Sequence, residues 1–326
     1  MIPESIGNYR ILGPLGQGST GVVYKAVRQG DNQPAALKLV APGRFASAAR
    51  REQFVREARA ATQLTHPRLR RLYEVGETGD RLYLAMEYLE GSTLKNLLVS
   101  GPLATETAVA WAVEIAEGLA AAHEAGVVHG ELIPAKVFIT RDGSVKLLDA
   151  GLWRLAVPSG VDISQEDTVR AAQLPAGLVG GLAPEQIRSK EPDARSDVFG
   201  LGTLIYQMVT GCHPFAEGSP ADSMYRVLER MPDPVSELSP EAPPALSSVL
   251  ARALAKEPAD RYPSAVKMAA ALRAVAAGEE LPVEEEKEEV VVEQAVEKAT
   301  SPLWWAIGAA TLLLVLWFLY LAFFRL

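Results

Sequence analysis

Short runs of β-branched and aromatic residues alternate with turn signals between residues 9 and 90, which predicts a set of strands. One stretch there, Ser47 to Thr65, instead places Phe54, Ala58, Ala61 and Leu64 at helical spacing. From Leu94 onward helical spacing dominates, so the chain divides into a β-rich part with one helix and a helical part. That order of elements reads as an α+β protein in two lobes. No internal repeat interrupts it.

The last segment carries a different pattern. Leu303 to Phe324 holds about 22 residues without a charge, enough to span a hydrocarbon layer of roughly 30 Å at ~1.5 Å per residue. Trp304 and Trp305 at one end, with Tyr320, Phe323, Phe324 and Arg325 at the other, fit an interfacial belt. The expectation is one transmembrane helix over residues 302–324 that anchors the chain by its tail in the inner membrane, through residues 303–324. Ala306, Gly308 and Ala310 add a weak helix-pairing signal.

Charge sharpens the division. The net charge of −8 sits almost wholly in the tract from Glu279 to Lys298, where nine glutamates face two lysines. Residues 277–301 therefore read as an acidic juxtamembrane linker, repelled by an anionic inner leaflet. The remainder is near neutral and lacks the basic patch of about pI 9 that nucleic acid asks for, so a nucleic-acid partner is set aside. The arginines at 44, 50, 51, 56 and 59, and at 68, 70 and 71, read as solvated faces. With the single cysteine, Cys212, no intramolecular disulfide forms, and the N-terminus shows no secretory run. A reducing cytoplasm is expected for the folded part, with Cys212 as inert packing.

The candidate chemistry begins at Gly16-Gln17-Gly18-Ser19-Thr20-Gly21-Val22-Val23, a G-x-G-x-x-G-x-V pattern in which glycines let backbone amides close over phosphates. A second strand-like run follows the loop, which favours a hairpin lid over a dinucleotide-binding turn. Lys38 lies in the apolar run Ala35-Ala36-Leu37-Lys38, and Glu57 lies on the predicted helix. A buried lysine is costly unless paired, so a Lys38–Glu57 ion pair is expected.

From these residues on, the chain resembles the eukaryotic-like Ser/Thr protein kinases of bacteria. His66-Pro67, the run L-Y-L-A-M-E-Y-L-E-G, Ala183-Pro184-Glu185, Asp197 and Arg261 follow in family order. The resemblance implies a bilobal kinase-like domain over residues 9–276, with an N-lobe of 9–90, a C-lobe of 91–276 and residues 1–8 as an arm. It implies an ATP or ADP pocket formed by Gly16, Gly18, Gly21, Val23, Lys38, Glu57, Met86 as gatekeeper, Glu87 and Leu89 at the hinge, and Asp149.

The catalytic loop departs from the family's H-R-D-L-K-P-x-N. The aligned residues are His129-Gly130-Glu131-Leu132-Ile133-Pro134-Ala135-Lys136, with Asp149-Ala150-Gly151 in place of D-F-G. Glu131 keeps the carboxylate of the base but displaces it by on the order of 1 Å, which can cost ~10²-fold. Ile133 removes a cation that would stabilise the transferring phosphoryl group. Lys136 replaces a metal-holding asparagine with an ammonium, which repels Mg2+ and is free to pair with Asp149 or to touch a phosphate. A single weakened Mg2+ site at Asp149 remains. Leu178 stands where a substrate-side threonine belongs, and Gly130 removes the arginine that would read a phosphate on Ser159, Ser164 or Thr168.

The expected function is therefore a membrane-anchored, ATP-binding pseudokinase that acts as a nucleotide-sensitive signalling scaffold for an unidentified cytoplasmic or membrane protein. Two other readings stand beside it: a slow Ser/Thr kinase with Glu131 as base, and a membrane adaptor that binds no nucleotide.

Overall fold

In the computed structural model, residues 3–18, 20–155, 181–188, 190–216 and 218–281 are described, together with Trp317. The chain divides into two units, Met1–Pro282 and Val283–Leu326. The first opens with strands β1 (Ser5–Ile6), β2 (Tyr9–Gly18), β3 (Gly21–Arg28) and β4 (Pro34–Val40), helix α1 (Ala48–Ala61), and strands β5 (Leu72–Thr78) and β6 (Arg81–Glu87). These strands form one antiparallel sheet in the order β1-β2-β3-β4-β6-β5. Central β4 and β6 are buried on nearly every residue, as a strand covered on both faces must be.

The α1 helix starts where Ser47 accepts a hydrogen bond from the amide of Arg50, a side-chain cap. Its buried residues Phe54, Val55, Ala58 and Ala61 pack with Val40, Leu72, Leu82, Leu84 and Met86 from the sheet. The helix ends at Ala61, four residues short of the stretch expected to be helical, because Thr62, Gln63 and Leu64 close into tight turns on Arg59, Ala60 and Ala61.

A small antiparallel sheet follows, β7 (Gly91–Thr93), β8 (Val137–Thr140) and β9 (Val145–Leu147), in that order. The helical lobe comprises α2 (Leu94–Leu97), α3 (Thr105–Glu124), α4 (Pro184–Ile187), α5 (Ala194–Thr210), α6 (Pro220–Glu229), α7 (Val235–Leu238), α8 (Pro244–Ala253) and α9 (Ala265–Ala277). Helix α5 is capped by Asp193 at one end and by left-handed Gly211 at the other, and 13 of its 17 residues are buried. Ile115 and Leu119 of α3, Leu201 and Leu204 of α5, and Leu272 of α9 share the core.

The bilobal kinase fold is thus present, a sheet-built N-lobe on a helical C-lobe. Cys212 departs from its expected packing: it is a free thiol exposed after α5. Among the described residues no helix is long and apolar enough to cross a membrane. The segment expected to do so lies outside them, except for Trp317, which is helical and exposed.

Candidate functional site

Strand β9 organises the floor of the cleft. The Arg70 amide donates to the Leu147 carbonyl (2.9 Å), the Leu147 amide to Arg68 (2.7 Å), and the Leu148 amide to Lys136 (2.8 Å). Residues 68–70 and residue 136 are thereby fastened alongside residues 147–148, and Asp149 comes next. Asp149 adopts a left-handed φ of 61°, a region that Asp tolerates better than most non-glycine residues, and the Leu152 amide closes a 3.0 Å turn on its carbonyl.

Three cations converge on that carboxylate. Arg70 Nη2 donates to Asp149 Oδ1, while Lys136 Nζ lies 2.6 Å and Lys38 Nζ 3.6 Å from Oδ2. Lys38 arrives from β4, opposite Leu84 of β6 and Val23 of β3, and is only 5% exposed. Lys136 also lies 3.5 Å from Glu131 Oε2. The pairing of Lys136 with Asp149 is one of the two alternatives the sequence left open, and here it is made.

Burial alone would raise the Asp149 carboxyl, but the charges of Lys136, Lys38 and Arg70 outweigh it and hold the group well below the usual carboxylate range. The two ammonium groups shift in opposite directions. Burial wins at Lys38, which is pushed down at a separation beyond hydrogen-bond length. At Lys136 burial is overcome by Asp149 and Glu131, and the ammonium is held above its ordinary value.

The catalytic-loop residues are fixed from behind. Asp197 on α5 accepts hydrogen bonds from the amides of His129 and Gly130, both at 2.8 Å, and lies 2.7 Å from His123 Nε2. His129 is fully buried, which pushes it toward the neutral form. Neutral imidazole suits its contacts, with Nε2 3.0 Å from the Leu148 carbonyl and Nδ1 accepting from the Glu131 amide at 3.4 Å. Glu131 is buried to 9% exposure, and half-buried Ile133 precedes a 3₁₀ turn over Pro134–Lys136. Gly130, at φ 70°, lies under Trp153: a Cβ there would come within 2.7 Å of the indole Cγ. The indole thus covers the place where a longer side chain at residue 130 would begin.

Glu57 is not the partner of Lys38. The 3₁₀ turn Trp153–Leu155 after Asp149 sets Arg154 against α1, where Arg154 Nε meets the two Glu57 oxygens at 3.0 and 2.8 Å and its Nη2 reaches Glu191 at 2.9 Å. Gln53 adds a 3.0 Å hydrogen bond to Glu57. The expected Lys38–Glu57 pair is corrected accordingly: each side chain has found an opposite charge elsewhere.

Toward the cleft mouth, β2 and β3 form the glycine hairpin, with Gly16 opposite Val23 and Gly18 opposite Gly21. Gly21 requires its glycine, since a Cβ would meet the Leu39 carbonyl oxygen at 2.1 Å. At Gly16 and Gly18 a Cβ would meet nothing within 4 Å, so the roof there is open. Met86 is buried, with its Sδ 3.0 Å from Arg70 Nη2. The Glu87 carboxylate is committed to Lys146 (3.0 Å) and the Arg71 amide (3.1 Å), and Leu89 is half-buried. Leu178, Ser159, Ser164 and Thr168 lie outside the described residues.

A glycine hairpin open at Gly16 and Gly18 and three cations gathered on Asp149 suit the phosphates of a nucleotide. A Mg2+ ion fits poorly: it requires oxygen ligands, and both Asp149 oxygens are engaged by side-chain cations. Arg70 was missed in the sequence because it was counted with the solvated arginines. Its side chain is 12% exposed and lines a narrow cleft with Ala61, Met86, Asp149 and Ala150. Its neighbours in that cleft come from distant parts of the chain, so no local pattern marked it.

A lysine-bearing strand of a twisted sheet, facing an aspartate at the edge of a helical lobe, is the architecture of the two-lobed protein kinases. The family model of the protein kinase domain matches residues 9–271, and the chain belongs to that family. It is 36% identical over 273 residues to the serine/threonine-protein kinase PknL of Mycobacterium tuberculosis, covering 82% of this chain and 65% of PknL. It is 34% identical over 232 residues to the serine/threonine-protein kinase PknB of Mycolicibacterium smegmatis, covering 70% and 36%. The chain therefore spans less than two thirds of the length of these relatives. Among solved structures, the M. tuberculosis PknI kinase domain superposes with a TM-score of 0.67 at 25% identity, covering 84% of this chain and all of that one.

Proposed function

We propose that this protein is a membrane-anchored, nucleotide-binding pseudokinase that presents an ATP- or ADP-sensitive surface to a protein partner. The observation that carries the reading is the position of Lys136, between Asp149 at 2.6 Å and Glu131 at 3.5 Å. A general base must be free to accept a proton from its substrate, and here the only carboxylate at the base position is drawn to an ammonium. Ile133 supplies no charge to a transferring phosphoryl group. The glycine hairpin and Lys38 are untouched by these losses, and Lys136 itself adds a charge to the cationic floor. A C-terminal helix over residues 302–324 would hold the domain at the cytoplasmic face of the inner membrane and concentrate it near its partner.

The test is phosphotransfer by the full chain with labelled ATP, divalent cation and generic protein substrates, beside the triple variant Glu131→Asp/Ile133→Lys/Lys136→Asn. The full chain is expected to label substrate no faster than a Lys38→Ala control. Robust transfer by the unmodified chain would sink the pseudokinase reading.

A further inference from the structure

Two carboxylates, Asp149 and Glu131, face three cations, Lys38, Arg70 and Lys136. The cleft floor thus carries an excess of positive charge before any ligand arrives. We infer that this pocket takes the nucleoside di- or triphosphate as the metal-free anion, with Arg70 and Lys136 as the counter-charges a divalent cation would otherwise supply, and that Arg70 sets this preference. The inference rests on the nucleotide-binding reading above and names the form of the ligand.

The geometry argues against a dication at Asp149. One oxygen is held by Arg70 and the other by Lys136 and Lys38. A divalent ion would have to displace one of these cations, and the displaced group, tethered to its backbone, would remain within a few ångströms to repel it. Lys136, at the second metal-holding position, offers no oxygen at all. A polyphosphate meets the opposite situation, because Lys136 and Lys38 can turn part of their hydrogen bonding from Asp149 Oδ2 to a phosphate oxygen, while Arg70 keeps Oδ1 compensated and adds its charge from behind.

Arg70 is built into the site. Its amide is fixed on Leu147, and its guanidinium lies against Met86 Sδ. Small Ala61 and Ala150 flank its cleft, which has an interior volume of about 10 Å³, room for no more than a water.

Titration calorimetry of the full chain in mild detergent with ATP and with ADP, each in chelator and in excess Mg2+, tests this. Wild type is expected to bind in chelator at least as tightly as in Mg2+. Arg70→Met, whose unbranched side chain fits the same space, is expected to weaken chelator binding about tenfold, the loss of one counter-charge beside the phosphates. Arg70→Lys should retain most of it, which separates charge from packing. Wild-type binding that is tenfold tighter in Mg2+ than in chelator would overturn the inference and leave the nucleotide reading standing. Binding of neither nucleotide in either condition would overturn both. If Arg70→Met does not fold, the wild-type comparison and Arg70→Lys decide.

Discussion

Asp149 does at residue scale what a core apolar residue does elsewhere: it ties β4, the segment before β5 and the catalytic loop together, through charge. Removing one member of a buried ionic cluster leaves the others uncompensated, at a cost of about 3–5 kcal/mol. Asp149→Asn is therefore expected to lower the unfolding free energy, measured by urea denaturation, by an amount of that order at neutral pH. The sign of its pH dependence follows from its lowered folded value. The stability it contributes is fully present above the unfolded pKa of about 3.9 and is lost as pH falls through the lower folded value. The gap between wild type and Asp149→Asn should then close in strong acid; a gap that persists there would show that the cluster is not what the substitution removed. None of this was legible for Arg70, because a charge run shows which residues are neighbours in sequence and not what folds against them. Lys136 was readable as a partner of Asp149 only once the catalytic-loop register was fixed.

Most of the elements were written in the chain. The glycine hairpin, the lysine strand and the single N-lobe helix follow from apolar spacing and turn residues, since their burial is set locally. The ion pair of α1 was not, because the partner of Glu57 depends on how the backbone turns after Asp149. Arg154 joins Glu57 on α1 to Glu191 on the helical side, bridging the two lobes through one guanidinium. Arg154→Ala is expected to cost about 1 kcal/mol or less, since the pair is partly exposed, yet to speed amide exchange in Ala48–Ala61 and in Trp153–Leu155 together. Glu57→Gln should produce the same pattern, and the double variant should fall short of the sum. Strictly additive effects would sink the coupling.

At the scale of the whole molecule, charge and apolarity are segregated along the chain: a near-neutral two-lobed domain, then a strongly acidic tract, then the apolar stretch from Leu303. The full chain is expected to stay with membranes through alkaline carbonate washing, while a chain ending at Pro282 is released. Release of the full chain would remove the anchor from the proposal and leave the nucleotide pocket untouched. The bilobal fold was legible because several landmarks occur in one order over most of the length.

The indole of Trp153 over Gly130 also bears on how such a chain can change. A side chain at residue 130 collides with the ring and strains a left-handed backbone, so any first step from glycine toward arginine is penalised while Trp153 stays. Shrinking Trp153 first uncovers the site with nothing to fill it. The two positions are thus sterically coupled, and an arginine at residue 130 is accommodated only together with a smaller side chain at residue 153.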